Sequence, residues 1–345
     1  MSKQIHLFFD ENTAYQNICK KDNLADWNKI IDWAPLEKIM KEITFNQQTN
    51  GGKGGRLPIC EKLMCRILIL QSSYNLSDDG MEFAINDRLS FKRFLGLDLT
   101  EKSPDAKTIW VWRERLKKLG LHEKLFRAFE ESLQKEGFAS SKGQMIDATF
   151  VPTHKPTGKH KKQIEEGKTL SQKQKEQICP DATFTKKGGQ TYHGFKNHVC
   201  VDVQHKLIRA AHISTASLHD SQIFEDILSV PAEEFSFEDR RVFADSAYKS
   251  KKSDAWLKEK NMTSHICERA YRKKPLSENQ KKNNFERSKI RSRIEHVFGF
   301  METSMGGMAI HTMGLARAQV KITFKNLAYN MRRLIFLVKQ RAKHA

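Results

Sequence analysis

The sequence has no long uncharged apolar run, and this absence argues against a membrane protein. The first residues, MSKQIHLFFDEN, contain too short an apolar run for a signal peptide, and the run LMCRILIL is interrupted by Arg66. We therefore expect a cytoplasmic protein that has no membrane partner.

Sequence patterns for a zinc site or a phosphate-binding loop are missing as well. None of the six cysteines forms a CxxC pair and no HxxxH pattern accompanies them, which favours reduced thiols over a zinc site. The cysteines are Cys19, Cys60, Cys65, Cys179, Cys200 and Cys267. The glycine-rich loop GGKGGR at 51–56 does not follow the pattern GxxxxGKS/T, so we interpret it as a connector.

Acidic residues are few relative to basic ones. The 345 residues include 41 Asp and Glu against 60 Lys and Arg, a formal net charge of +19. This excess predicts a polyanionic partner, because each neutralised phosphate releases condensed counterions. A ribosomal site or an anionic membrane surface would fit the same charge, so charge alone defines only a class of partner. The length and the 39% hydrophobic content indicate a folded protein of two domains.

The stretch MIDATFV at 145–151 is typical of a mostly buried strand with a carboxylate at its middle. An ionised Asp147 costs several kcal/mol there unless a cation or hydrogen-bond donors meet it. A single such aspartate is more often structural than catalytic. Two further acidic positions change this balance, since Asp245 ends a later strand and Glu295 lies on a helix. Three converging carboxylates would be stable as anions only around divalent metal.

The order of the predicted elements indicates an α/β fold with a ribonuclease H-like mixed sheet flanked by helices. Three strands are followed by a helix, a strand, a helix and a strand. Their ranges are, in turn, Met145–Val151, His198–Val203, Leu207–Ile213, Asp220–Leu228, Arg241–Ala244, Ser250–Lys260 and Met262–Cys267. The first and fourth strands are neighbours in this topology, which brings Asp147 and Asp245 to one edge of the sheet.

A helix returning to the same edge is predicted over Phe285–Glu302, with Arg291 and Glu295 on the flank of its apolar face. These two residues are four apart, so a helical ion pair is the alternative interpretation. After two acidic strand ends, we favour Glu295 as the third metal ligand.

The region before the sheet is predicted to be helical, and one of its helices has a basic flank. That helix, Asp105–Leu119, carries Arg113 and Arg115 beside an ordinary core face. DNA contact and simple solvation of the charges are equally good interpretations. We predict an all-α N-terminal domain over residues 1–140 and an α/β domain over residues 141–345.

Basic residues near the acidic positions are candidates for phosphate contacts, which position a DNA strand without reading its bases. Lys159 and Lys161 lie in a basic insertion at 153–190, Lys249 follows Asp245, and Arg291 precedes Glu295. A solvated loop without a partner is the alternative interpretation of the insertion.

Five stretches together resemble bacterial transposases of the insertion-sequence five family. They are MIDATFV, YHGFKNHVCVD (192–202), STASLHDS (214–221), VFADSAY and RSRIEHVFGFM. The resemblance covers most of residues 55–335, and the region 57–126 is similar to the amino-terminal domain of that family. It implies that the domain over residues 1–140 binds DNA ends and that residues 141–345 form the catalytic domain. Ser288 and Glu302 stand where the family pattern has Tyr and Lys, and Ser246 stands where relatives often have Lys.

The resemblance implies a DDE transposase in which Asp147, Asp245 and Glu295 are the catalytic residues and the metal ligands. Mg²⁺ is the expected ion, with Mn²⁺ as a possible substitute. The expected partners are double-stranded DNA, as terminal inverted repeats and as target, and further copies of the chain in a homodimer or larger assembly. Two other classes stay open: a DNA-binding protein or repressor that keeps the fold without catalysis, and a simple metal-dependent nuclease.

Overall fold

The computed structural model describes residues 22–48, 59–138, 142–154, 162, 166–167, 169, 171, 179, 181–187, 189–234, 240–270 and 275–344. They fall into two compact units. Unit 1 comprises the described parts of Met1–Gln71, Leu76–Leu121 and Leu334–Ala345, and unit 2 those of Ser72–Asn75 and His122–Arg333. The units are thus drawn at other residues than the predicted domains, whose separate functions stay a prediction.

Unit 1 is helical, with irregular connections, in its described part. Its helices are Leu24–Ile30 (α1), Ala34–Gln48 (α2), Glu61–Tyr74 (α3), Asp78–Asp87 (α4), Leu89–Leu95 (α5) and Ala106–Leu119 (α6). Asp105 caps the start of α6, since its side chain accepts a hydrogen bond from the N–H of Thr108. Buried aromatic rings form part of the core, where Trp27 and Trp33 contact Phe94 at centroid distances of 6.0 and 5.9 Å.

Unit 2 combines a six-stranded sheet with helices. The strands are Gln144–Pro152 (β1), Thr183–Lys187 (β2), Gln190–Asp202 (β3), Ile208–Thr215 (β4), Arg241–Ala244 (β5) and Thr263–Ile266 (β6). The helices are Leu121–Lys135 (α7), Phe224–Glu234 (α8), Lys251–Glu259 (α9), Glu278–Arg291 (α10), Glu295–Ser304 (α11) and Leu315–His344 (α12), of which the part from Leu334 onward is assigned to unit 1. Short 3-10 turns cover Asp220–Gln222, Ser246–Tyr248 and Ser292–Ile294.

Strand β1 lies between an antiparallel and a parallel neighbour. It pairs antiparallel with β3 and parallel with β5, and β6 continues the parallel part beyond β5. Both β2 and β4 pair antiparallel with β3. Apolar side chains from β1, β3 and β5 pack with α8 and α9 in one buried cluster. The predicted fold class, a mixed sheet flanked by helices with a helical N-terminal region, is confirmed.

One strand of the sheet was not expected from the sequence. Strand β2 lies in the predicted basic insertion 153–190, and β3 begins at Gln190, earlier than the predicted His198. The lysine content of this stretch favoured a loop, although its alternating Thr and Phe residues suit a strand. Gly194 is required where the strands meet, because a Cβ there would lie 2.1 Å from the carbonyl oxygen of Val151.

The helix predicted over Phe285–Glu302 is divided. Helix α10 ends at Arg291, a 3-10 turn covers Ser292–Ile294, and α11 begins at Glu295. The apolar spacing could not distinguish this arrangement from one helix, because a 3-10 turn keeps side chains three residues apart on one side. Ile294 is fully buried in the turn, so the division occurs where the chain packs inward.

Buried amides join α12 to the sheet of unit 2. The side chains of Asn326 and Asn197 exchange hydrogen bonds of 2.8 and 3.1 Å. The amide of Asn330 accepts from the N–H of Ile208 at 2.9 Å and donates to its carbonyl at 2.8 Å. These bonds satisfy polar groups that would otherwise be costly to bury. Among the described residues, no helix has both the length and the apolar character that crossing a bilayer requires.

A buried charge network closes the β3–β4 connection. The guanidinium of Arg209 pairs with Asp202 at 2.9 Å and with Glu130 at 2.5 Å, and it also donates to the carbonyl of Phe138. Asp202 in turn accepts a hydrogen bond from the N–H of Leu207 at 3.1 Å. The network therefore ties β3 and β4 to α7.

Candidate active site

The β1–β5 register places Asp147 and Asp245 side by side. Ile146 is paired with Ala244 in the parallel ladder, and the two aspartates are the next residues along each strand. Neighbouring strands lie about 4.8 Å apart, so the two backbones are close enough for both carboxylates to reach one ion. The structure thus brings together these two residues of the predicted triad.

Both oxygens of Asp147 have hydrogen-bond donors. Oδ1 accepts from the N–H of Ala148 at 2.8 Å, and Oδ2 accepts from Nη1 of Arg291 at 2.8 Å. Asp245 is exposed, and its Oδ1 accepts from the N–H of Ser246 at 2.6 Å, where the 3-10 turn begins. A cation is therefore already in place at Asp147, as its setting in an apolar strand demands.

Arg291 is the last residue of α10, and Glu295 is the first residue of α11. The 3-10 turn Ser292–Ile294 packs against β1, and Glu295 comes directly after it in an exposed position. Arg291 forms its ion pair with Asp147, 144 residues away in sequence, rather than the local pair with Glu295 that was the alternative interpretation.

A metal centre with three ligands is not formed by the described parts of the chain. No three His, Cys, Asp or Glu side chains among these residues are placed to share an ion. Glu295 is therefore not brought together with Asp147 and Asp245 as a third ligand in this conformation. The donor set still fits a divalent ion, because adjoining carboxylates are hard oxygen ligands and Asp147 holds a cationic group.

Tyr248 lies in the 3-10 turn that follows Asp245 and was not predicted from the sequence. Its ring is buried, and among the described residues its hydroxyl has no hydrogen-bond partner. Burial raises the pKa of Tyr248, and the negative charges of Asp220, Asp147 and Asp245 raise it further. The side chain is thus a neutral donor close to three carboxylates.

Asp220 belongs to a second polar group in the same unit. Its carboxylate pairs with Nζ of Lys196 at 2.8 Å and lies 4.0 Å from Nδ1 of His198. Burial lowers the pKa of His198 to about 4, and its Nε2 lies 2.8 Å from Oγ of Ser214. The only available signal was that these residues lie in the stretches YHGFKNHVCVD and STASLHDS.

The predicted DNA contacts have different surroundings. Arg113 is buried, and its guanidinium makes two hydrogen bonds of 2.6 Å to Asp78 and contacts Gln71, so a DNA contact by Arg113 requires these bonds to open. Arg115 is half-buried, and burial lowers its pKa. Its DNA contact stays a prediction.

Among the predicted lysines, Lys249 is half-buried. Its Nζ lies between the carboxylates of Asp254 and Glu268, at 3.0 and 3.5 Å. Its phosphate contact therefore requires an exchange of partners. Lys159 and Lys161 lie outside the described residues.

Comparison with known proteins identifies the family. A family model described as a transposase DDE domain matches residues 139–331, and a second, described as a transposase domain (DUF772), matches residues 12–115. A solved piggyBac transposase synaptic complex with hairpin DNA is 11% identical with a TM-score of 0.46, over 97% of this chain and 76% of that chain. Since the DDE model covers more than half of the sequence, the chain belongs to the DDE transposases, a family of metal-dependent enzymes of DNA transposition.

Proposed function

We propose that this transposase cuts DNA at the ends of an insertion sequence and joins them to target DNA in one active site, formed by Asp147, Asp245 and Glu295. The observation that carries the proposal is the adjoining position of the two aspartates on parallel strands, with Arg291 bound to the first. Membership of the insertion-sequence five family and assembly as a homodimer or larger on two DNA ends belong to the same proposal.

The three carboxylates would hold the divalent ion, Mg²⁺ with Mn²⁺ as a substitute. When bound, the ion would supply the positive charge that activates an attacking water and stabilises a leaving 3′ oxygen. Asp147 and Asp245 offer their oxygens from adjoining strands. Glu295 would join them from the first turn of α11, beside the 3-10 turn that packs on β1.

Arg291 and Tyr248 would act on the carboxylates in different ways. Asp147 would hold the ion through Oδ2, and the guanidinium of Arg291 would then be available to contact a phosphate of the bound strand. The hydroxyl of Tyr248 can donate to Asp147 or Asp245 from the buried side, which makes Tyr248 a positioning residue.

The same site would perform both chemical steps. In cleavage, water attacks the scissile phosphorus and the 3′ oxygen leaves. In strand transfer, the freed 3′ hydroxyl attacks a target phosphodiester, so one P–O bond forms as another breaks and no covalent enzyme intermediate is needed. Lys159, Lys161, Lys249 and Arg115 are the proposed phosphate contacts that hold terminal repeats and target DNA.

The proposal is tested with labelled DNA from both flanks of the gene, incubated with the purified chain, a target plasmid and Mg²⁺. Joined products are expected. Asp147→Asn, Asp245→Asn and Glu295→Gln should each abolish cleavage and joining, while Asp226→Asn, an exposed aspartate on α8, serves as the matched control.

Other products would change the conclusion. Cleavage without joining would indicate a simple metal-dependent nuclease, and DNA retention without cleavage would indicate a repressor or other binding protein. Full activity of Glu295→Gln would remove Glu295 from the site.

A further inference from the structure

We propose that the outer side of α10 is a DNA-binding surface on which Phe285 stacks against an exposed base face. The outer stripe is defined as Lys281, Lys282, Phe285 and Lys289. The inference rests on the proposed function and deepens it, because it names a DNA contact on the helix that carries Arg291.

Polar contacts determine which side of α10 faces the sheet. The amide of Asn284 accepts from the N–H of Glu268 at 2.8 Å and donates to its carbonyl at 3.0 Å. Arg287 donates to the carbonyl of Ile266 at 2.8 Å, and Arg291 binds Asp147. No residue of α10 is buried. The helix is thus anchored through polar groups of one side, and its other side faces solvent.

The outer stripe lies on that other side. Helical spacing aligns residues 281, 282, 285 and 289, and all four are exposed. Phe285 is 68% exposed, so its ring contributes little to the packing of unit 2. Lys281 pairs with Glu278 at 2.7 Å, but both side chains are more than half exposed, which makes this pair weak and exchangeable.

Lysines around an aromatic ring match the chemistry of DNA with an accessible base. The lysines can neutralise backbone phosphates, and an aromatic ring stacks on a base of any sequence. Inside a duplex both faces of each pair are covered, so only an unpaired base or the terminal pair of a cut end offers a face. A second copy of the chain would gain no comparable charge complementarity, since the chain carries a net charge of +19.

Phe285 and Arg291 lie at different levels along α10. Phe285 precedes Arg291 by six residues, about 9 Å along a helix. This length corresponds to about three nucleotides of stacked DNA. Phe285 lies on the other side of the helix from Arg291, so a strand with its scissile phosphate at Asp147 would pass around α10 for its neighbouring nucleotides to reach Phe285.

The test uses the full chain and two DNA probes of one sequence. One probe is a single strand with one 2-aminopurine, and the other is a covalently closed dumbbell duplex without free ends. Phe285→Ala should weaken single-strand binding about 5- to 100-fold and relieve 2-aminopurine quenching. The affinity for the dumbbell duplex should not change. Phe285→Trp should retain the wild-type affinity for the single strand and for the dumbbell. Phe83→Ala in unit 1, where the ring is 69% exposed, is the matched control and should change neither.

Several results would overturn the inference. One is failure of the wild-type chain to bind the single strand. Others are that Phe285→Ala loses affinity equally for both probes or for neither probe. The last is that Phe285→Leu, whose side chain lacks a π face, retains the wild-type affinity for the single strand. A shift in sedimentation of Phe285→Ala without DNA would assign the surface to self-association instead. The proposed function is judged separately, since Asp147→Asn should abolish cleavage whatever Phe285→Ala does.

Discussion

Two arginine–aspartate pairs of unit 2 join the same chemical groups in different surroundings. In the Arg209–Asp202 pair the side chains are 1% and 0% exposed, and Glu130 lies on the other side of the guanidinium. In the Arg291–Asp147 pair they are 20% and 23% exposed. The comparison teaches that burial, rather than the identity of the pair, separates a structural charge pair from one whose partners can be exchanged for an ion or a phosphate.

The largest expected effect is on stability, through the buried charge network of Arg209, Asp202 and Glu130. Glu130→Ala leaves Arg209 buried with less compensation and should lower the free energy of unfolding by about 3–5 kcal/mol. Urea denaturation followed by circular dichroism measures the change. Glu131→Ala, its exposed neighbour on α7, is the matched control. A loss below about 1 kcal/mol for Glu130→Ala would remove the distinction between the two pairs.

A substitution in the partly exposed Arg291–Asp147 pair should affect catalysis more than stability. Asp147→Asn should reduce the rate of DNA cleavage at least about a hundredfold, as loss of an electrostatic catalytic group does. The free energy of unfolding should change by less than about 1 kcal/mol, because the pair is partly exposed. Cleavage kinetics and urea denaturation on the same preparation check both values. Large destabilisation with little kinetic effect would reverse the assignment.

A pH dependence of stability is expected from His198. Burial, together with Lys196 and His212, lowers its pKa to about 4, against the opposing effect of Asp220. The unfolded chain binds a proton below pH about 6.5 and the folded chain only below about 4, so stability is complete above 6.5 and is lost as pH falls towards 4. The loss should reach up to about 3 kcal/mol.

His198→Gln should flatten this dependence between the two pH values, because the titrating group is gone while a hydrogen bond to Ser214 stays possible. Urea denaturation at a series of pH values measures it, with His296→Gln as an exposed control. An unchanged slope would assign the acid sensitivity to other groups.

The smallest expected effect concerns competition between Arg291 and the metal. Arg291→Gln removes the cation that occupies Oδ2 of Asp147, so Mn²⁺ should bind about 2- to 5-fold more tightly in calorimetry without DNA. Arg287→Gln, which loses a contact to the carbonyl of Ile266, is the control and should not tighten binding. Weaker binding by Arg291→Gln would show that the guanidinium supports the metal site.

The acidic strand ends were recognisable in the sequence because an aspartate within an apolar run is costly. The predicted topology also placed Asp147 beside Asp245, as the β1–β5 register shows. The participation of Glu295 stays a proposal. Tyr248 was not recognised although it follows Asp245 by three residues, because its burial depends on packing, and Asp220 was not recognised because it is remote in sequence from both aspartates.

The surroundings of Arg113 and Arg291 could not be predicted from the sequence. Both are basic residues on the flank of an amphipathic helix, and both were predicted to contact DNA. One is buried against Asp78, whereas the other is partly exposed at the candidate active site. Helical periodicity gives the side of a helix on which a residue lies, but not what packs against that side.

The sequence by itself determined the order of strands and helices, the helical N-terminal region and the acidic residues at the sheet edge, because apolar spacing and isolated carboxylates are local properties. Only the tertiary structure decided which cation meets which carboxylate, where the helix before Glu295 is divided and that β2 extends the sheet. The physical reason is that the strength of a charge pair and the pairing of strands depend on burial and on neighbours remote in sequence.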